Sequence, residues 1–177
     1  MNKEKILSSK LIYQGRILKL RVDTVLTSDG RKSTREIIEN RDCIGVVAID
    51  ADDNILLVNQ YRSPPEKELL EIPAGGVDPG EDVAVAVIRE MREETGLRPG
   101  KVERLTGFYL SPGFCSEYLH LYLATDFEPA PLTAEDTAGI EVVKVPAAQI
   151  PGLIASGKIE DSKSIAGLLY YLARRKK

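Results

Sequence analysis

An α+β fold is predicted for this chain by three features of its residues. Alternating and β-branched runs recur between residues 11 and 60 and again between 102 and 145, which is strand material. A glycine-rich turn at 75–80 leads into an amphipathic stretch that ends at Gly96, and apolar residues at helical spacing close the chain. The 177 residues suit a main domain of ordinary size with a small appendage, and a hydrophobic share of 43% is enough to fill a core.

In order along the chain, residues 11–40 form a small N-terminal antiparallel sheet. Ile17 to Leu26 alternates, Thr27-Ser28-Asp29-Gly30 makes a hairpin turn, and Ser33 to Glu39 returns. A sheet of about three strands buries too little to stand alone, so residues 1–41 are expected to pack on the remainder, 42–177, or on a second subunit. Cys43 to Ile49 and Ile55 to Gln60 then read as a hairpin of a central sheet, joined by Asp50-Ala51-Asp52-Asp53-Asn54. The prolines at 64 and 65 mark a loop, and Leu69 to Ile72 is a short strand delivering Pro73-Ala74-Gly75.

A helix is expected from about 81 to 95. Glu81 and Asp82 place negative charge where a helix N-terminus favours it, and Gly96 stops the run. At about 100° per residue, Val83, Ala84, Val87, Ile88, Met91 and Thr95 share one arc. Glu90, Glu93 and Glu94 form a stripe flanking that arc. Val102 to Leu110 and Glu117 to Thr125 read as strands joined by Ser111-Pro112-Gly113-Phe114-Cys115-Ser116, and Ile140 to Val145 as a last strand. Ile150 to Gly157 and Ser162 to Arg175 are helical, with Ile165, Leu168, Leu169 and Leu172 on a packing face.

Charge and composition narrow the function. A net charge of −3 and a pI near 5.4 argue against a broad nucleic-acid-binding surface, and the basic tail Arg174-Arg175-Lys176-Lys177 suits a helix C-terminus. No stretch has the length of a signal peptide's apolar core or of a membrane span, so a cytoplasmic location is expected. Cys43 and Cys115 lack paired-ligand spacing and read as reduced thiols; His120, the single histidine, leaves little room for histidine-based catalysis.

The carboxylates carry the chemistry. Like charges at i,i+4 destabilise a helix, so Glu90 and Glu94 need a compensating cation. Arg89 reaches Glu93 at i+4 but lies well round the helix from Glu94, which leaves Glu90 and Glu94 without an obvious protein partner. A solvated acidic face is one reading of this pattern; a hard divalent cation such as Mg²⁺, held by carboxylates and substrate phosphates, is the other. Arg62, at a strand end feeding this region, reads either as a surface arginine paired with Glu66 or Glu68 or as a phosphate or base contact.

The full spacing favours the cation. Gly75, five residues, Glu81, seven residues, then Arg89-Glu90-Met91-Arg92-Glu93-Glu94-Thr95-Gly96-Leu97 resembles the Nudix box, G-x5-E-x7-R-E-U-x-E-E-x-G-U, at every specified position. The resemblance implies an α/β/α sandwich with a mixed central sheet and metal-dependent hydrolysis of a nucleoside diphosphate linked to another group. By that resemblance Glu90 and Glu94 are the principal metal ligands, Glu93 a further or water-mediated one, and the Ala74 carbonyl a backbone ligand. Glu81 and Arg89 brace the loop.

Beyond the box, S-P-G-F-C-S-E at 111–117, Q-Y-R at 60–62, the L-E-I-P-A-G lead-in and S-G-K-I-x-D-x-K-S near the C-terminus are similar to the ADP-ribose pyrophosphatase subfamily. This implies hydrolysis of ADP-ribose to AMP and ribose 5-phosphate with Mg²⁺ or Mn²⁺, and Arg62, Ser111, Pro112 and Glu117 as substrate contacts. It also implies a homodimer that exchanges the N-terminal sheet. Members of the subfamily place a catalytic glutamate in the loop before Ile140; here Asp136 stands at that position with Glu135 beside it, so the general base is Glu135, Asp136 or a box glutamate. The alternatives are a pyrophosphatase of ADP-glucose or GDP-mannose and a non-catalytic nucleotide-binding module. Modules of that kind usually lose box carboxylates, and this chain keeps them.

Overall fold

The structure, a computed structural model, describes residues 3–134 and 137–175. The chain divides into two compact units, one holding the residues up to Asp42 together with Tyr109–Tyr118, the other Cys43–Phe108 and the residues from Leu119 onward. In the first unit, β1 (Lys5–Gln14), β2 (Lys19–Leu26) and β3 (Lys32–Glu39) form an antiparallel sheet in the order β1-β2-β3. The turn after Leu26 closes as expected, with Gly30 at φ 83°, a left-handed conformation that glycine adopts without steric cost. The segment 111–116 is pinned to β3: Ile38 N–H donates to the Phe114 carbonyl at 2.7 Å and Ser116 N–H to the Ile38 carbonyl at 3.0 Å. Strand β1 is exposed throughout, including Ile6, Leu7, Leu11, Ile12 and Tyr13.

The second unit is built on β4 (Cys43–Ile49), β5 (Asn54–Arg62), β6 (Lys67–Glu71), β7 (Ala74–Gly76), α1 (Val83–Thr95), β8 (Leu97–Tyr109), β9 (Tyr118–Pro129) and β10 (Glu141–Pro146). A 3-10 turn (Ala147–Gln149), α2 (Ile150–Ala155) and α3 (Ser162–Arg175) complete it. The outer ends of β8 and β9 run into the first unit. The sheet order is β10-β5-β4-β9-β8; β4 and β9 run parallel, while β5 is antiparallel to β4, β6 and β10, so the sheet is mixed.

The expected β4–β5 hairpin exists but is short. Only Ala48↔Leu56 and Ile49↔Ile55 pair before the strands part, and the fork is filled by the next segment, with β6 on β5 and β7 on β4. Backbone groups that a wider hairpin would satisfy are met by this insertion, as in the bond from Val46 N–H to the Pro73 carbonyl. The fork thereby sets Ala74 and Gly75 against the middle of the sheet.

Strand β4 is buried on both faces, as the near-continuous apolar run of a sheet covered on two sides requires. Ile44, Val46 and Ala48 pack with Ala86, Val87 and Met91 of α1. On the other face α3 comes close enough that a Cβ on Gly167 would sit 2.8 Å from Leu121 Cδ1 and 3.3 Å from Ile72 Cδ1. Helices on both sides of a mixed sheet give the sandwich that was expected.

Three local expectations need correction. Helix α1 starts at Val83, because Asp82 caps it by accepting from Ala84 and Val85 N–H at 2.8 and 3.3 Å while Glu81 turns aside. Its buried face is Ala86, Val87, Glu90 and Met91, so Glu90 lies within that face instead of flanking it. On α3, Leu168 is buried but Leu169 is exposed, and the face turned inward carries Lys163, Ser164 and Gly167. Both helices are rotated from the purely apolar solution because polar groups at their inward positions have partners.

Candidate functional site

Arg89 organises the acidic side of α1. Its Nε and Nη2 donate to the two oxygens of Glu81 at 2.9 and 2.8 Å, Nη2 also donates to the Gly76 carbonyl at 2.9 Å, and Nη1 donates to Glu90 at 2.7 Å and Glu93 at 3.2 Å. These bonds occupy every donor of the guanidinium fork. Glu81 closes the loop further by accepting from Asp78 N–H at 3.0 Å. The expectation that Glu90 lacks a protein partner is thus corrected: residues at i,i+1 do not face each other on a helix, but the long arginine side chain folds back across the carboxylate.

Arg89 does not exhaust these acids. Glu90 gives it one oxygen and Glu93 one, and Glu94 gives it none. Glu94 Oε2 accepts from Ala74 N–H at 3.0 Å, a bond made possible by the fork that sets Ala74 over the helix. Glu90 Oε2, Glu93 Oε1 and Glu94 Oε1 accept nothing from the described residues. The Glu90 carboxylate lies where a side chain on Gly75 would go, since a Cβ there would be 2.0 Å from Glu90 Cδ.

The electrostatics favour an added positive charge. Burial pushes the Glu94 carboxyl up to about 8; the Ala74 N–H opposes the shift and the charge of Glu90 adds to it. Burial also raises Glu90, against the pull of Arg89. Hard oxygen donors in a poorly solvated place, each with an unused oxygen, form a donor set that fits a hard divalent cation. Among the described residues no three His, Cys, Asp or Glu side chains are already gathered as a cage, so the donors are available without being assembled.

Arg62 takes neither Glu66 nor Glu68. Its Nε and Nη2 donate to Glu71 at 2.9 and 2.6 Å, and Glu71 is 1% exposed. Glu71 also accepts from Lys163, whose ammonium donates to Asp161 at 2.9 Å. Glu71, Asp161, Lys163 and Ser164 were not singled out from the sequence as site residues, although they lie in the L-E-I-P-A-G and I-x-D-x-K-S stretches. A buried acid in a strand and a buried lysine in a first helical turn were the available signals.

The remaining predicted residues fall in the first unit or outside the described residues. Ser111, Pro112 and Glu117 belong to the first unit: the Ser111 carbonyl accepts from Phe114 and Cys115 N–H at 3.1 and 2.9 Å, Pro112 is exposed, and Glu117 accepts from Asn40 Nδ2 at 3.0 Å. Glu135 and Asp136 lie outside the described residues. The residues leading to them follow β9 and are tied to α1, with Arg92 Nε donating to the Ala130 carbonyl at 2.9 Å and Leu132 N–H to the Arg92 carbonyl at 3.1 Å.

Comparison with known proteins bears on the family and the fold. A family model described as the NUDIX domain matches residues 39–167, and one described as the nucleoside diphosphate sugar hydrolase N-terminal domain matches 4–38. The chain is 36% identical to the methanol dehydrogenase activator of Bacillus methanolicus, over 94% of this chain and 91% of that protein. It is 32% identical to the ADP-ribose pyrophosphatase of Bacillus subtilis (strain 168), again over 94% and 91%. A crystal structure of an ADP compounds hydrolase superposes with a TM-score of 0.92 over 99% of this chain and 96% of that one; at 24% identity this bears on the fold.

Proposed function

The chain belongs to the Nudix hydrolase family, and on that premise we propose that it hydrolyses the diphosphate of ADP-ribose to AMP and ribose 5-phosphate. The observation that carries the reading is the set of unused oxygens of Glu90, Glu93 and Glu94 on one face of α1, beside a backbone turn that Gly75 keeps open. Glu90, Glu93, Glu94 and the Ala74 carbonyl are the proposed ligands of Mg²⁺, with Mn²⁺ as a substitute. Such a cation, when bound, would neutralise phosphate oxygens and lower the pKa of bound water.

The chain's own residues do the rest. Arg89 and Glu81 hold the turn in register with the helix, and Arg62 offers donors to the diphosphate. Ser111, Pro112 and Glu117 are proposed substrate contacts, in keeping with the S-P-G-x-x-x-E element. A carboxylate, whether Glu135, Asp136 or a box glutamate, orients or deprotonates the attacking water; an Asp136→Asn variant with the wild-type rate would move that role to the box. Residues 1–41 are proposed as the dimerisation element of a homodimer and 42–177 as the hydrolase domain.

The name of the Bacillus subtilis relative supports ADP-ribose. The match of residues 4–38 to the nucleoside diphosphate sugar hydrolase N-terminal domain favours a second reading, in which another compound of that class, such as ADP-glucose or GDP-mannose, is cleaved by the same residues. The experiment is release of the nucleoside monophosphate by purified protein, AMP from ADP-ribose and ADP-glucose and GMP from GDP-mannose, with and without EDTA. Chelator-sensitive release, fastest from ADP-ribose, is expected; no metal-dependent turnover on any of these compounds would leave a nucleotide-binding module instead.

A further inference from the structure

The side chains that tie α3 to the sheet form a closed set. Glu71 is held on one side by Arg62 of β5 and on the other by Lys163 in the first turn of α3. Asp161 accepts from Lys163 and caps the helix by accepting from Ser164 N–H at 2.9 Å and Ser164 Oγ at 2.5 Å. Ser164 Oγ in turn accepts from Ile72 N–H at 2.9 Å, next in the chain to Glu71. Two cations balance two anions, so the set is neutral as a whole. That is the condition under which charges tolerate burial, since one removed partner leaves the other uncompensated.

The geometry of Arg62 shows what the set is for. The guanidinium meets Glu71 by the edge that carries Nε and Nη2, which leaves the end formed by Nη1 and the second Nη2 hydrogen with no partner among the described residues. That end is the fork that recognises phosphate bidentately. Glu71 lies three residues before Ala74, whose N–H donates to Glu94 at 3.0 Å, so the set adjoins in the chain the turn that meets the carboxylates of α1. Without Lys163 one cation, Arg62, would stand with two anions, Glu71 and Asp161, and the set would be net negative beside the guanidinium that is to meet an anionic substrate.

We propose that Lys163 and Glu71 are positioning residues for Arg62: Lys163 neutralises the Asp161 and Glu71 side of the set, and Glu71 grips one edge of the guanidinium so that its free end faces the substrate diphosphate. The inference rests on the reading of the chain as a nucleoside diphosphate hydrolase. Arg62 touches substrate in this account, and Lys163 and Glu71 act through it. The C-terminal helix thereby becomes part of substrate recognition while contributing no contact of its own.

The test is a double-mutant cycle on the full chain, read by calorimetry with ADP-ribose in EDTA and by KM and kcat with Mg²⁺. Lys163→Met is expected to weaken binding and raise KM about tenfold with kcat within about threefold, because the positioned fork serves binding. Lys163→Arg is expected to restore both to within about twofold, and in an Arg62→Ala background Lys163→Met is expected to have no further effect. An undiminished effect in that background, or a silent Lys163→Met in an enzyme that turns over its substrate, overturns the inference and leaves the functional reading standing. A wild-type protein that neither binds nor cleaves any nucleoside diphosphate compound overturns both. Should Lys163→Met fail to fold by circular dichroism, the charge-neutral combination Glu71→Gln with Lys163→Met enters the cycle in its place, with the same expected loss and the same refuting outcomes.

Discussion

Gly75 is required by what stands against it. A methyl group there would occupy the place of the Glu90 carboxylate, 2.0 Å from its Cδ, so Gly75→Ala must expel the acid, the turn, or both. The expected result is at least about a hundredfold loss of kcat, as follows when a catalytic group is displaced by about 1 Å. Initial rates together with a thermal melt check it, and a variant with normal turnover would show that Glu90 is free to sit elsewhere. The glycine was legible in the sequence as the first residue of the box. Its reason was not, because the neighbour it makes room for lies fifteen residues on and reaches it only through the fold.

Glu94 makes the residue scale testable by pH. With its carboxyl pushed up to about 8 against an ordinary value of 4.5, the folded, metal-free protein keeps a proton that the unfolded chain has lost. Stability contributed by that proton is therefore fully present below about pH 4.5 and is lost as pH rises through about 8. Melting temperatures in EDTA should decline between about pH 4.5 and 8 for the wild type and level off above, and Glu94→Gln should flatten the decline while reducing turnover by orders of magnitude. An unchanged slope in the variant would assign the decline to another group. Glu71 and Asp161 act with the opposite sign. Burial works against their charged forms, but Arg62 and Lys163 for the first and Lys163 and Ser164 for the second outweigh it and hold both carboxyls below the usual range. Their contribution is present above ordinary carboxylate pKa values and is lost as pH falls through the lowered ones.

At the scale of the element, helix α1 was legible in kind and largely in face. Its caps and apolar period gave a helix ending at Gly96 and an arc on which Val87 and Met91 are buried and Val83 and Ala84 pack against the core, but the buried face also takes in Ala86 and Glu90. Hydropathy treats a glutamate as outward. It has no means of knowing that Arg89 will fold back over it, or that a sheet fork will present backbone to its neighbour. Arg89→Lys tests how much of the element depends on the fork of donors. A lysine keeps the charge but has three donors on a flexible stem, and cannot bind Glu81 by two parallel bonds while also reaching Glu90 and Glu93. A loss of about 2 kcal/mol by urea denaturation is expected, below the roughly 3–5 kcal/mol for removing a buried partner outright. A variant as stable as the wild type would mean that these ion pairs contribute little.

At the scale of the whole molecule, the sequence disclosed the sandwich and the small sheet but not the division of labour between near and distant segments. The short β4–β5 pairing, the insertion of β6 and β7, and the tie from Ile72 to Ser164 join residues far apart in the chain, and local patterns carry no record of such contacts. Among the described residues no helix is long and apolar enough to cross a membrane. Strand β1 instead presents apolar side chains outward, with Tyr13 59% and Ile6 55% exposed, as a surface awaiting a partner does. If that partner is a second copy, light scattering will give twice the chain mass, and Ile6→Lys with Leu11→Lys will give the chain mass. A monomeric wild type at micromolar concentration would remove the dimer.

The bond between Ile72 and Ser164 means that the tail of this protein vouches for its middle. A product of interrupted synthesis that ended before residue 160 would still carry an unbroken motif, yet it would have an acid stranded without its ammonium and a greasy strip of sheet left bare. Such fragments should be silent and quickly degraded, and possession of the motif alone would say nothing about whether the enzyme had been finished.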